Sequence, residues 1–167
     1  MLLEKAKRIA EILHKGQLRN DRVTPYITHP EAVYNLLKEI GIEEEDTLCS
    51  AWLHDTIEDC GITKEEIESE FNQNIARIVQ MLTRNEGREE YKKRIENADY
   101  PVQIIKLADM VHNCATLSSN LPEETIRRKV EEGISFYIPL AEKVCPKFSS
   151  MLVKHLQPWL NIKQQDL

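Results

Sequence analysis

Apolar residues return at helical spacing along the whole chain. Leu3, Ala6, Ile9, Ala10 and Leu13 fall on one stripe, and Gly16 ends that segment. Pro30 opens a second helix with Val33, Leu36, Leu37 and Ile40 on its apolar face, stopped by Gly41. A third segment, over about 44–57, turns Leu48, Ala51, Trp52 and Ile57 inward. After the Cys60-Gly61 turn, Thr63 and Glu66 have the spacing of a capping box. Further helices are predicted around 74–82, 89–96, 102–117, 123–135 and 148–159. Pro101, Pro122, Pro139, Pro146 and Pro158 each fall near a boundary or kink of these segments. No window alternates with period two for long enough to require a strand. The expected class is all-α: a single compact helical bundle of about eight or more helices, one domain over residues 1–167.

Composition narrows the possible partners. The formal net charge of −6 gives no sequence-wide attraction for nucleic acid or anionic lipid. A phosphate-bearing substrate therefore has to be drawn in by local positive charge or by a metal. No apolar run approaches the roughly 20 residues of a membrane span. Charges recur every few residues over 1–13, unlike a secretory leader, so a cytoplasmic location is expected. Cys49, Cys60, Cys114 and Cys145 are scattered without a CxxC pair, which disfavours a zinc ribbon or redox motif and fits reduced thiols.

Three clusters carry candidate chemistry. Pro25-Tyr26-Ile27-Thr28-His29-Pro30 places His29 immediately before a helix. His54-Asp55-Thr56-Ile57-Glu58-Asp59 gathers four ionisable side chains directly after the apolar stretch Ser50-Ala51-Trp52-Leu53. An ionised Asp beside core is costly unless paired or metal-bound. Read as one helix, Glu58 and Asp59 lie one turn beyond His54 and Asp55 on the same faces. Three acids converging there would repel each other, and a divalent cation relieves that repulsion. The pair would also sit at a helix C-terminus, where the helix dipole disfavours acids. In the third cluster, Lys106, Asp109 and Asn113 share one helical face, with Ile104, Leu107, Ala108 and Val111 around them. That pattern suits a metal ligand with substrate-binding neighbours, and equally a buried salt bridge. Taken singly, each cluster has an ordinary structural explanation; their joint occurrence in this order makes that explanation the weaker one.

At these residues the chain resembles the HD hydrolase domain of the RelA/SpoT alarmone enzymes, and it looks closest to the small stand-alone alarmone (ppGpp) hydrolases. The blocks that carry the resemblance are HKGQLR at 14–19, PYITHP at 25–30, AWLHDTIEDC at 51–60 and IKLADMVHN at 105–113. The resemblance implies a helical HD domain in which His29, His54, Asp55 and Asp109 bind one metal ion, usually Mn²⁺. It implies Glu58 and Asp59 as catalytic acids, and Arg19, Tyr26, Asn113 and Thr116 as contacts to the nucleoside. The chain departs from the family at several points. The family usually reads R-x-x-G-x-P-Y, where this chain has Arg19-Asn20-Asp21-Arg22-Val23-Thr24-Pro25-Tyr26, one residue longer and without the Gly. Met110, Cys114 and Ala115 stand where basic residues or a Met-Arg pair are common.

The expected activity is a Mn-dependent guanosine-3′,5′-bis(diphosphate) 3′-pyrophosphohydrolase, taking ppGpp or pppGpp to GDP or GTP plus pyrophosphate. Vacant positions on a His/Asp-ligated metal suit Mn²⁺ better than structural zinc. Glu58, with Asp59, would orient water and accept its proton. Lys106 and Arg19, with Arg22 further out, would offset phosphate charge. Ser50 and the cysteines have no base partner in sequence and read as structural. Two alternatives remain at this level: an HD phosphohydrolase of another nucleotide, and a catalytically silent nucleotide-binding HD domain. The expected partner is a small-molecule nucleotide, with no nucleic acid and no membrane; an oligomeric state is not readable. His14 is expected to be a core or capping residue, His112 structural, and His155 without function.

Overall fold

The structure is a computed structural model and describes residues 1–164. It is helical throughout, with one isolated β-bridge, Leu18 to Pro25, among the described residues, so the all-α expectation is borne out. None of the described helices is long and apolar enough to cross a membrane.

The chain resolves into two compact units that divide within one helix, the first ending at Lys106 and the second starting at Leu107. The first unit contains α1 (Leu2–Leu13), α2 (Thr28–Glu39), α3 (Glu45–Leu53), α4 (Thr56–Cys60), α5 (Lys64–Glu70), α6 (Gln73–Leu82) and α7 (Arg88–Glu96). The dividing helix is α8 (Tyr100–Ala115), and the second unit continues through α9 (Glu123–Glu132), α10 (Ile138–Val144) and α11 (Pro146–Leu156).

Inside the first unit α1, α3 and α6 enclose a core of Ala6, Ala10, Cys49, Trp52, Leu53, Ile75, Ala76 and Val79. Ala6 and Ala10, one turn apart and fully buried, let α1 and α3 approach closely. α3 is buried from Thr47 to its end at Leu53, so residues that follow it emerge from the interior. The expected capping box is present: Thr63 accepts from the Glu66 backbone N–H while the Glu66 side chain accepts from the Thr63 N–H. Asn72 caps α6 in the same manner, accepting from the Ile75 N–H over 2.8 Å.

Two departures from the sequence reading matter for the site. His29 does not precede its helix; it lies in the first turn of α2, which begins at Thr28. The chain winds in through a turn in which the Thr28 N–H reaches the Pro25 carbonyl at 3.2 Å, and Pro30 sits where a missing N–H costs nothing. Secondly, the single helix expected over 44–57 is broken. α3 stops at Leu53, His54 and Asp55 form a corner, and α4 starts afresh at Thr56. Glu58 and Asp59 therefore belong to the first turn of a new helix, where the dipole favours acids. The pair is thus not the disfavoured C-terminal one that a single helix over 44–57 would make.

In the second unit α10 packs on α11, with Leu140, Ala141, Phe148, Leu152 and Leu156 buried. The helix expected to end at 135 instead continues through a π-helical turn at Gly133–Tyr137 into α10. Gly133, at the start of that turn, leaves room for Leu156, whose Cδ1 a Cβ there would overlap.

Candidate metal centre

The corner at His54 and Asp55 is held by side chains that satisfy the carbonyls α3 leaves open. His54 Nδ1 lies 2.8 Å from the Ala51 carbonyl oxygen, and the Thr56 hydroxyl donates to the Leu53 carbonyl at 2.7 Å. A carbonyl oxygen only accepts, so Nδ1 carries the proton and a neutral His54 presents a lone pair on Nε2. Asp55 has φ −100° and ψ −2°, the sparsely populated bridge region in which active-site residues recur. Gly61, at φ 75°, ends α4 after five residues.

These constraints aim three donor atoms at one point. His54 Nε2 stands 3.3 Å from His29 Nε2 and 2.9 Å from Asp55 Oδ2, and His29 Nε2 stands 3.6 Å from the same oxygen. A divalent ion with bonds of about 2.0–2.2 Å subtends ligand separations of roughly 3.0–3.5 Å. The triangle has that size, and the two imidazoles and one carboxylate are a donor set that a divalent metal takes. Both imidazoles are almost fully buried, at 1% and 3%, whereas the Asp55 side chain is 24% exposed. The cluster is thus walled by core on its histidine side and accessible on its carboxylate side. Such asymmetry suits a site that admits substrate better than a closed structural one.

The residues around this triangle come from the loop that joins α1 to α2. Tyr26 Oη donates to Asp55 Oδ2 at 2.6 Å, and the Tyr26 ring meets the His29 ring edge-on at 5.8 Å. The guanidinium of Arg19 lies 5.7 Å from the Tyr26 ring centroid. The loop is closed on itself: Arg19 N–H bonds to the Thr24 carbonyl at 2.8 Å and Tyr26 N–H to the Gln17 carbonyl at 2.9 Å. At its tip Asp21 accepts from the Val23 and Thr24 backbone amides and from the Thr24 hydroxyl. These bonds hold the Asp21 carboxyl at about 2, well below its ordinary 3.8, led by the Thr24 hydroxyl. Arg22 takes the left-handed conformation, φ 60°, in the stretch where the family pattern carries Gly.

The two candidate acids sit on the exposed side of α4. Glu58 accepts from the Arg84 backbone N–H at 2.9 Å, which fixes its carboxylate against the end of α6. Asp59 receives Gln17 Nε2 at 3.4 Å. Lys106 reaches over the Tyr91 ring, 5.4 Å from its centroid. In the second unit Asp109 is buried, 5% exposed, and accepts from the side-chain amide of Asn113. Thr116 is exposed, and its hydroxyl donates to the His112 carbonyl at 2.9 Å. The structure therefore brings His29, His54 and Asp55 together with Tyr26 within the first unit, while Asp109, Asn113 and Thr116 belong to the second.

Cys49, Cys60 and Cys114 offer no competing nucleophile. Burial pushes Cys49 and Cys114 up to about 12. Cys60 rises to about 11, by burial first and by the charges of Asp59 and Asp55 after it. His14 has the core and capping role expected of it, at the C-terminus of α1, but its contact with Tyr26 was not foreseen, and Gln17 was not singled out. His14 is 2% exposed, donates from Nδ1 to Gln17 Oε1 at 2.7 Å, and stacks on Tyr26 at 4.8 Å. The block HKGQLR contained both residues, but nothing in it said that they face α4.

The HD domain family pattern matches residues 6–144. The chain belongs to the HD domain family. Curated relatives include a guanosine-3′,5′-bis(diphosphate) 3′-pyrophosphohydrolase of Haemophilus influenzae, 37% identical over 148 residues, covering 81% of this chain and 21% of that protein. A protein of Escherichia coli K12 named bifunctional (p)ppGpp synthase/hydrolase SpoT is 36% identical over 154 residues, covering 85% of this chain and 22% of its own length. A probable GTP pyrophosphokinase of Mycobacterium leprae is 37% identical, covering 86% of this chain and 19% of its length. The chain thus spans about a fifth of the length of the curated relatives it matches. A solved structure described as a metazoan ortholog of SpoT that hydrolyzes ppGpp superposes with a TM-score of 0.81, at 21% identity, over 95% of this chain and 96% of that one. That likeness establishes the HD fold.

Proposed function

We propose that this chain is a divalent-metal-dependent phosphohydrolase that removes pyrophosphate from the 3′ position of ppGpp or pppGpp, leaving GDP or GTP. The observation that carries this reading is the His29–His54–Asp55 triangle, with both imidazoles buried and the Asp55 side chain partly exposed. Relatives named for that same hydrolysis support it, as does membership of the HD domain family.

His29, His54 and Asp55 would hold the ion, and the family resemblance implies Asp109 as a fourth ligand. The family resemblance makes Mn²⁺ the expected ion, and mixed imidazole and carboxylate donors are compatible with it. When bound, a divalent ion supplies Lewis acidity toward a phosphoryl oxygen and makes water a stronger acid. Glu58, whose carboxylate is fixed by the Arg84 amide, orients the attacking water and takes its proton, with Asp59 beside it on α4. Arg19 and the Tyr26 ring offer a cationic and aromatic edge to the nucleoside, and Asn113 and Thr116 are its further contacts. Lys106 offsets phosphate charge. Residues 1–167 act as one functional domain on a small-molecule substrate in the cytoplasm, without nucleic acid or membrane.

The test is product analysis. Purified protein is incubated with ppGpp, with Mn²⁺ or with chelator, alongside His54→Ala. Pyrophosphate and GDP should form only in the wild type with Mn²⁺. Orthophosphate as the released product would overturn the proposed bond of cleavage. Unchanged pyrophosphate release by His54→Ala would overturn the proposed site.

A further inference from the structure

A series of contacts links Asp55, the N-cap of α4, to Asp59 one turn further on within it, through residues outside the ligand set. Tyr26 Oη donates to Asp55 Oδ2, the same oxygen that faces His54 and His29. Behind Tyr26, the His14 ring stacks at 4.8 Å with the planes 28° apart. The His14 Nδ1–H donates to Gln17 Oε1, because a carbonyl oxygen accepts only. That bond fixes which way the Gln17 amide faces, and its Nε2 reaches Asp59 Oδ2.

Why α4 needs such support follows from its length. Five residues are far too few to hold a helix in water on their own. A carboxylate ligand also has a torsional freedom that its backbone does not remove. The hydroxyl of Tyr26 removes it at Asp55, and the His14 stack removes the corresponding freedom of the Tyr26 ring. Losing a partner that orients a ligand in this way typically costs about 10- to 100-fold in metal affinity.

We infer that Tyr26 is a positioning residue for Asp55, held by His14 and Gln17, so that the 14–26 segment clamps α4 in the arrangement that binds metal. The inference rests on the reading of His29, His54 and Asp55 as ligands of a divalent ion. It gives the Tyr26 hydroxyl a duty separate from any contact its ring makes with substrate.

The experiment uses the whole chain stripped of metal and titrated with MnCl₂ by calorimetry. Wild type, Tyr26→Phe, His14→Phe and the double variant are compared, with thermal melts in chelator to establish that each is folded. Tyr26→Phe keeps the stacked ring and loses only the hydroxyl, and should weaken Mn²⁺ binding about 10- to 100-fold without moving the metal-free melt. His14→Phe should weaken it less, and the double variant should bind no more weakly than Tyr26→Phe, because His14 acts through Tyr26. If His14→Phe does not fold, Gln17→Leu takes its place in the cycle. Wild-type binding with Tyr26→Phe unchanged within about twofold overturns this inference and leaves the ligand reading intact. Full additivity in the double variant overturns the part given to His14. Failure of the wild type to bind Mn²⁺ overturns the ligand reading, and this inference with it.

Discussion

The Nδ1–H of His54 points at the carbonyl oxygen of Ala51, 2.8 Å away in the last turn of α3. This one bond sets the tautomer and turns Nε2 toward His29 and Asp55. A ligand that binds only the folded state stabilises it by mass action. MnCl₂ at a hundred times its dissociation constant should therefore add about 2.7 kcal/mol, a rise in melting temperature of about 5–10 °C for a chain of this size. His54→Ala should show no such rise in differential scanning calorimetry, and a full rise in that variant would place the metal elsewhere.

Arg22 occupies the left-handed region at φ 60°, where a side chain costs about 1–2 kcal/mol relative to glycine. Arg22→Gly relieves that strain but frees the unfolded chain, so the net gain should be about 0.5–1 kcal/mol. Arg22→Val, β-branched at the same φ, should lose stability. Urea unfolding of the two variants gives both signs directly.

Asp21 ties the tip of the same loop to its own amides. Its folded-state value is about 2 against an ordinary 3.8, so the carboxylate form is favoured by folding. Its contribution is fully present above the ordinary value and disappears as pH falls through the folded one. The amide resonances of Val23 and Thr24 should hold steady down to about pH 4 and shift together toward about pH 2. Asp21→Asn should abolish that titration.

Gly133 opens the π-helical turn between α9 and α10, and its missing Cβ is what admits Leu156. Replacing a helical glycine by alanine usually stabilises. Here the added methyl would overlap Leu156 Cδ1, in a side chain only 1% exposed. Gly133→Ala should therefore cost about 1–3 kcal/mol, read from the midpoint of chemical unfolding.

Much of this protein was legible from its residues alone. Stripes such as Ala6 and Ala10 in α1, the Thr63–Glu66 box and the prolines at helix starts are local rules, satisfied within a turn or two of chain. They set the helical class and most boundaries. His29, His54 and Asp55 could also be nominated as ligands, because residue type and motif order survive without coordinates. Tertiary structure decided the rest. The break at His54 and Asp55 depends on side-chain bonds to Ala51 and Leu53 that periodicity does not register. The meeting of His29 with His54 spans 25 positions of chain, and the placing of Tyr26 on Asp55 spans 29. Contacts across such distances are fixed by how whole helices pack, and no local spacing encodes them. For that reason His14 and Gln17, unremarkable in the sequence, acquire a place in the site only once α1, α2 and α4 are folded around it.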